Sequence, residues 1–394
     1  MVWIEWTILF LVTVLATLLL VPLVSKLAIK LDAVDYPSAR RVNTRPVPRL
    51  GGVAMVGAMA VALAVYILGV YLLGWHNDFL KFRNEWSVNV PGVALGVVFM
   101  FAVGVVDDIV QLKPKPKLLG QIVAACIVAG SGLLLSSFHN PLPAGGYVEL
   151  GIWAYPITVF YLVAFANIIN LIDGLDGLAA GITSISVITI FVLCVVTNAL
   201  AAAMLSVVLL GACLGFLRYN FNPASIFMGD SGALTLGFLL GIISLFGSAR
   251  TAMLVSLLVP VIAAGVPIMD TMVAIIRRKR AHRPIGEADK GHIHHRLMQA
   301  GFSQRATVLI MWAWTAALAL CALIMMEFDG PLRLGALLVV AGLTAYGILR
   351  LKLVHPALMH QYAPRVRRKK RFTGSVSATG STEKDASTKT KEDK

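Results

Sequence analysis

What this 394-residue sequence has least of is charge. Asp, Glu, Lys and Arg make up 14% of it, where a soluble globular protein carries about 25%. Hydrophobic residues make up 58%, and the mean hydropathy is +0.81. So few charges cannot coat the surface of a soluble protein of this length. That excludes an ordinary water-soluble globule, and so apolar a composition excludes disorder for most of the chain. Cysteine is also scarce. Cys126, Cys194, Cys213 and Cys321 all fall inside apolar runs, without a CxxC or a Cys/His neighbour, which speaks against a disulfide framework or a thiolate metal site and for apolar packing. Acidic residues are the scarcer sign: 20 against 34 Lys and Arg, a formal net charge of +14. A basic excess often points to nucleic acid, but in a chain this apolar it reads first as membrane topology, and no nucleic-acid partner is expected. No Walker A loop and no GxGxxG fingerprint is present.

What the sequence does have is long apolar runs. A bilayer span needs about 20 mostly apolar residues. Eleven segments qualify: roughly 3–24, 51–73, 91–107, 118–137, 152–172, 178–197, 199–217, 231–247, 252–276, 306–326 and 332–351. The expected fold is therefore all-α, a polytopic integral membrane protein with about eleven transmembrane helices. The first six residues hold no Lys or Arg, so the first span reads as a retained anchor rather than a cleaved signal. An odd count puts the termini on opposite sides. Thirty of the 34 Lys and Arg then fall in the segments 25–50, 107–117, 173–177, 218–230, 277–305 and 350–394. The other side keeps only Lys81, Arg83, Arg250 and Arg333. The positive-inside rule makes the first set cytoplasmic, with the N-terminus outside and the C-terminus inside. Residues 1–352 form the expected membrane domain. Residues 353–394 form a basic tail, with the cluster Arg365–Arg371 suited to anionic lipid, and a composition too polar to bury a core.

The acidic residues are the most informative. A carboxylate at the end of a span is costly unless it faces a cavity or a partner. Asp107, Asp108, Asp173, Asp176, Asp230 and Asp270 all lie at inner ends of spans or in short inner loops. In GVVDDIVQLKPKPKLLGQ, the pair Asp107-Asp108 needs a cation beside it, and Lys113, Lys115 and Lys117 follow. In FANIINLIDGLDGLAAG, Asn167, Asn170 and Asp173 share one helical face, and Asp176 continues the stripe across Gly174. In NFNPASIFMGDSGALTLG, Asp230 stands where a helix N-cap would sit, and Phe227 could be core or could stack on a base. The 277–305 loop carries His292-x-His294-His295-Arg296, unlike the i, i+4 histidines of a zinc protease but suited to phosphate groups. Arg45 and Arg49 lie beside Gly51-Gly52 on the same face. Carboxylates with few protein ligands suit Mg²⁺, which keeps waters and bridges substrate phosphates. Together this is equipment for phosphoryl transfer, with a lipid as a candidate acceptor. A transporter would carry its acids near the midplane, and a scaffold would not need them gathered on one side.

DDIVQLKPKPKLLGQ, NLIDGLDGLAAG, FMGDSGALTLG and DKGHIHHRLMQAGFSQR resemble, in order and spacing, the polyprenyl-phosphate N-acetylhexosamine-1-phosphate transferases, the glycosyltransferase 4 family. The His-x-His-His-Arg form and RPVPRLGG resemble the undecaprenyl-phosphate GlcNAc-1-phosphate transferase branch. The phospho-MurNAc-pentapeptide branch has three consecutive histidines instead and is the alternative. A histidine often found upstream in the GlcNAc branch is Asn43 here. The resemblance implies eleven spans, a bacterial plasma-membrane location with a cytoplasmic site, and transfer of GlcNAc-1-phosphate from UDP-GlcNAc to undecaprenyl phosphate with release of UMP, as a first membrane step of wall teichoic acid, O-antigen or a similar polymer. It implies Mg²⁺ or Mn²⁺, with Asp230 and Asp107 as metal-binding residues. It implies catalytic roles for Asp107, Asp108, Asp176 and Lys117, uracil recognition by Asp173 and Phe227, a lining role for Asn167 and Asn170, and substrate binding by Arg49, His292, His294, His295 and Arg296. A homodimer is left open.

Overall fold

In the computed structural model, the structure describes residues 2–37, 45–77, 88–139, 147–248, 261–262, 264–280, 291–328 and 331–350. Asn43, the basic cluster 365–371 and the tail 353–394 lie outside them, as do Lys81, Arg83 and Arg250.

Apolar segments surrounded by lipid must satisfy their backbone groups internally, which favours helices. The helices are α1 (Val2–Lys30), α2 (Gly51–Leu73), α3 (Val90–Val110), α4 (Pro114–Gly130), α5 (Ala154–Ile172), α6 (Leu178–Val196), α7 (Leu200–Asn220), α8 (Gly229–Ser248), α9 (Gly265–Arg280), α10 (Ile293–Gln299), α11 (Gln304–Glu327) and α12 (Pro331–Arg350). Two small antiparallel ribbons interrupt this all-helical plan. One pairs β1 (Val34–Asp35) with β2 (Val47–Pro48), and the other pairs β3 (Ser137–His139) with β4 (Tyr147–Glu149). Local chemistry sets several boundaries. Asn89 accepts the Gly92 N–H with its side chain and precedes a first-turn proline at the start of α3. Asn198, at φ +56°, turns the chain between α6 and α7, so the two runs separated by Thr197-Asn198 are indeed two helices.

Among the described residues, nine helices are long and apolar enough to cross a membrane. They correspond to nine of the eleven expected spans. The expected span 118–137 is shorter than read: α4 has 17 residues and stops at Gly130. Gly132, at φ +87°, cannot continue a right-handed helix, so the apolar run goes on without helical structure. Its backbone is tied down instead. Leu135 donates its N–H to Thr158 Oγ1 at 2.9 Å, and the Ser131 carbonyl accepts from Asn89 N at 2.8 Å. In the expected span 252–276, residues 252–260 lie outside the described residues, and α9 begins at Gly265.

Helices α6, α7 and α8 are the most enclosed and α12 the least. On α1 the two faces separate at helical spacing: Leu11, Leu15, Leu19, Leu23 and Leu27 are exposed, as a lipid-facing stripe would be, while Leu9, Thr13, Val21, Val24 and Ala28 are buried. The first turns of α8 are gripped by backbone. A Cβ on Gly52 of α2 would stand 2.0 Å from Gly232 N, and one on Gly104 of α3 would stand 2.5 Å from Ser231 Cα. Such close approach is how membrane helices pack without a hydrophobic driving force. The segment before α8 is stitched to the start of α2: Phe227 N donates to Pro48 O, Gly51 N to Phe227 O and Gly52 N to Met228 O, at 2.8–3.0 Å.

Candidate active site

Short joins between α3 and α4, α5 and α6, and α7 and α8 bring the C-terminal ends of α3, α5 and α7 to the same end of the bundle as the N-terminal ends of α4 and α8. The acidic motifs sit on those ends, so the fold collects them.

Asp108, in the last turn of α3, is 1% exposed. Its Oδ1 accepts the Asp230 N–H at 2.8 Å, and its Oδ2 accepts the Ser231 N–H at 2.9 Å. These are N–H groups at the start of α8, which have no partner within their own helix, and a carboxylate there also meets the positive end of the helix dipole. Asp108 is thus a helix cap delivered through space. Gly229 lies against that carboxylate with φ +72°, and a Cβ there would stand 2.5 Å from Asp108 Oδ2. Both the backbone angle and the space require glycine. The expectation that Asp230 caps α8 is corrected: the helix has already begun at Gly229, and capping falls to Asp108.

The Asp230 side chain is left to meet other groups. Its Oδ1 accepts from Lys117 Nζ at 3.0 Å and from the Asn170 side-chain amide. Lys117 Nζ also lies 2.9 Å from Asp107 Oδ2, and Asp107 Oδ1 accepts the Leu112 N–H at 2.6 Å, closing the turn after α3. One ammonium from α4 therefore answers two carboxylates from α3 and α8. Arg49 Nη2 donates to the main-chain oxygen of Asp108 at 2.6 Å, a cation at the negative end of α3.

Beside this cluster lies a cavity of about 580 Å³, within the usual range for small-ligand sites. Of the residues expected from sequence, Arg49, Asp108, Asn170, Asp173, Asp176, Phe227, Asp230, His294 and His295 line it. Asp107 and Lys117 reach it only through Asp230. Asn167 does not line it and instead donates to Gln121 Oε1 and to Val163 O. His292 does not line it either: its Nδ1 sits 3.1 Å from Asp270 Oδ2, and Asp270 Oδ1 accepts the Ile293 N–H at 2.9 Å. Arg296 lies on α10 outside the lining. Asp176 Oδ2 accepts from Asn222 Nδ2 at 2.9 Å and from Ala224 N at 3.0 Å, so it holds the 221–228 loop that forms one wall. Arg305 Nε donates to Asn222 O and Arg45 Nη2 to Ala224 O, at 2.9 and 3.1 Å.

Two titratable groups of this site, one just past the end of α5 and one in the first turn of α10, are strongly perturbed. Burial, and then the charges of Asp230, Asp108 and Asp176, push the Asp173 carboxyl up to about 8. Burial, reinforced by His295 and His292, holds His294 well below the ordinary imidazole range, so it is a neutral ring at physiological pH. His294 Nδ1 is buried with no hydrogen-bond partner among the described residues, a donor or acceptor that a bound ligand can satisfy.

Sequence reasoning passed over Asp35, Asn220, Asn222 and Gln304 in the lining, and Gln121 behind it. Asn220 and Asn222 carried the same signal as the acids, polar side chains at the inner end of an apolar helix. Asp35 and Gln304 carried none. Among the described residues no three His, Cys, Asp or Glu side chains converge as a metal cage. Asp107 and Asp230, already sharing one cation in Lys117, are a hard-oxygen pair of the kind Mg²⁺ uses together with waters and substrate phosphates.

The fold and this site define a polytopic helical membrane protein with a carboxylate-rich, phosphate-suited pocket at one end of the bundle. Comparison with known sequences gives the family. The profile of glycosyl transferase family 4 matches residues 90–248, the stretch from α3 to α8 that builds the Asp107–Lys117–Asp230 cluster. The chain is 39% identical over 304 residues to the "Probable undecaprenyl-phosphate N-acetylglucosaminyl 1-phosphate transferase" of Bacillus subtilis (strain 168), covering 77% of this chain and 80% of that one. It is 35% identical to the decaprenyl-phosphate N-acetylglucosaminephosphotransferase of Mycolicibacterium smegmatis, covering 77% and 78%. A phospho-N-acetylmuramoyl-pentapeptide-transferase of Chloroherpeton thalassium is 31% identical, covering 69% and 79%. The chain belongs to glycosyl transferase family 4, on the side of the polyprenyl-phosphate N-acetylglucosamine-phosphate transferases.

Proposed function

We propose that this protein transfers GlcNAc-1-phosphate from UDP-GlcNAc to undecaprenyl phosphate, giving undecaprenyl-diphosphate-GlcNAc and UMP, with Mg²⁺ or Mn²⁺ as cofactor, at the cytoplasmic face of a bacterial plasma membrane. The observation that carries this is the position of Asp230. One side of it faces a cavity large enough for a nucleotide-sugar. The other side meets Lys117, near exposed apolar Val106, Leu118 and Leu119 that suit lipid. A soluble donor and a lipid phosphate can approach one carboxylate from two directions.

In this scheme the protonated Asp173 carboxyl donates to a uracil oxygen, and Phe227 offers its ring to the base. Arg49, the neutral His294 and His295, which line the same cavity, are available to the diphosphate. An oxygen of the lipid phosphate dianion attacks the phosphorus that carries GlcNAc. The bond from that phosphorus to the bridging oxygen breaks, and the electron pair leaves with UMP. One pyrophosphate linkage replaces another, so no ATP is needed. Lys117 stabilises negative charge as it passes between the two phosphates. Asp230 and Asp107 would hold the metal ion, which when bound neutralises the diphosphate. Asp108 and Asp176 keep the α8 start and the 221–228 loop in register with the donor.

The test offers purified protein radiolabelled UDP-GlcNAc, UDP-GalNAc or UDP-MurNAc-pentapeptide, with undecaprenyl phosphate as acceptor. Labelled lipid from UDP-GlcNAc, lost in excess EDTA and restored by Mg²⁺, is expected. Label from the pentapeptide donor alone overturns the substrate assignment, and undiminished activity in EDTA overturns the metal.

A further inference from the structure

We propose that Gln121 is a positioning residue for this transfer: its hydrogen bond with Asn167 fixes the spacing of α4 and α5, and so places Lys117 against Asp230. The inference rests on the function proposed above and adds a residue on which that function depends.

Gln121 is 1% exposed on a helix that enters the membrane. A polar side chain there is costly unless it is paired, and it is paired with Asn167 across the helix boundary at 2.5 Å. The geometry is a ladder of two rungs. Lys117 and Gln121 are one turn apart on the same face of α4, and Asn167 and Asn170 are one turn apart on the same face of α5. The upper rung closes on a shared atom, since Lys117 and Asn170 both donate to Asp230 Oδ1. The lower rung is Gln121 with Asn167. Asn167 Nδ2 also donates to Val163 O at 2.8 Å in its own helix. Turning the Asn167 amide over would set its oxygen against two carbonyl oxygens, so its direction is locked and it offers a fixed donor to α4.

The rung matters because Lys117 is a flexible side chain with an exacting task. Its ammonium lies within 3.0 Å of carboxylates from two other helices, which requires the α4 backbone at a set distance from α3 and α8. Among the described residues, the other polar ties of α4 to its neighbours are the Lys117 ion pairs and, at its far end, the Asn89–Ser131 backbone hydrogen bond, so the lower rung is the tie nearest to Lys117 on the α5 side.

Four variants test this: Gln121→Asn, the exchange Gln121→Asn/Asn167→Gln, Gln121→Leu, and Gln121→Leu/Asn167→Leu. The double-leucine variant removes both partners together, which is close to neutral for stability, so its melting temperature is expected to match wild type. Its kcat is expected to fall about tenfold to a hundredfold, as for a misplacement of about 1 Å, with KM for UDP-GlcNAc unchanged. Gln121→Asn and Gln121→Leu alone are expected to lower kcat similarly, and the amide exchange, which keeps the combined reach, to restore it to within about threefold of wild type. A second readout needs no turnover: the rate of Lys117 acylation by an amine reagent, followed by mass spectrometry, should rise several-fold in the double-leucine variant. Wild-type kcat in that variant, failure of the exchange to restore kcat, or an unchanged acylation rate each overturns the clasp. A wild-type protein that labels no lipid from any of the donors refutes the function instead, and the acylation rate still decides the clasp.

Discussion

Replacing Asp108 by Asn separates two roles that a buried carboxylate beside a reaction can play. The variant keeps the size of the side chain but turns one oxygen into an amide donor. Asp230 N and Ser231 N both point at that side chain, at 2.8 and 2.9 Å, so one of them must then face another donor. A hydrogen bond to a charged acceptor contributes about 1.5–3 kcal/mol, and a buried unsatisfied donor costs about 1–3 kcal/mol. Losing the negative charge at the start of α8 removes a further ~0.3–1 kcal/mol. These contributions overlap, and about 3 kcal/mol is the expected sum. At about 1.4 kcal/mol per tenfold, displacing the Gly229–Asp230 turn by that free energy lowers turnover roughly a hundredfold. The assay measures turnover, UMP affinity and thermal unfolding on the same detergent-solubilised sample. If Asp108 works as a cap, all three fall together, with the melting temperature down by several degrees. A hundredfold loss of turnover at wild-type melting temperature and wild-type UMP affinity refutes that reasoning and makes Asp108 a group that acts on the substrate directly. Near-normal turnover refutes both roles.

Gly52→Ala would put a methyl 2.0 Å from Gly232 N, between segments pinned by the Gly51–Phe227 and Gly52–Met228 hydrogen bonds. Overpacking of this kind costs about 1–3 kcal/mol or more, so the variant should yield little monodisperse protein. Gly342→Ala, with nothing within 4 Å of its Cβ, should behave as wild type, and equal yields would contradict the close packing. Asp173 holds its proton up to about pH 8 because burial and neighbouring carboxylates oppose its charge. Its native pKa is raised, so the folded chain binds more protons than the unfolded one between about pH 4 and 8, and this group's contribution to stability falls as pH rises through that window. UMP affinity, measured without metal, should weaken above about pH 8, while Asp173→Asn, a donor at every pH, should give a flat profile. A flat wild-type profile would remove the proton-donor role.

The sequence made the bundle legible because lipid enforces one rule on every apolar run. It made the acidic end legible because Asp107, Asp108, Asp173, Asp176 and Asp230 interrupt such runs at the same side. Which acid does what could not be read, because the answer depends on contacts between distant positions. Asp108 and Asp230 looked like separate motifs, and only the fold shows the first holding the backbone of the second. Asn167 shared a helical face with Asn170, yet one turn of depth sends it to Gln121 rather than into the cavity. His292 belonged to the same histidine cluster as His294, but it starts α10 and turns toward Asp270. Helix period predicts a shared face and not how far along that face a cavity extends.

Helix α4 has a consequence beyond the site it carries. Its 17 residues measure about 25 Å at ~1.5 Å per residue, against a hydrocarbon core of about 30 Å, and the chain leaves the helix after Gly130. Leu119, Ile122 and Val123 of this helix face outward. A bilayer closing round the protein meets a lower wall there than at the 29-residue α1. Lipid meets such a mismatch by thinning or disordering locally. Boundary lipids are thus expected to be less well ordered along the flank where Lys117 stands than along α1. A polyprenyl chain far longer than the bilayer is thick would displace fewer well-packed neighbours by arriving on that side than along α1.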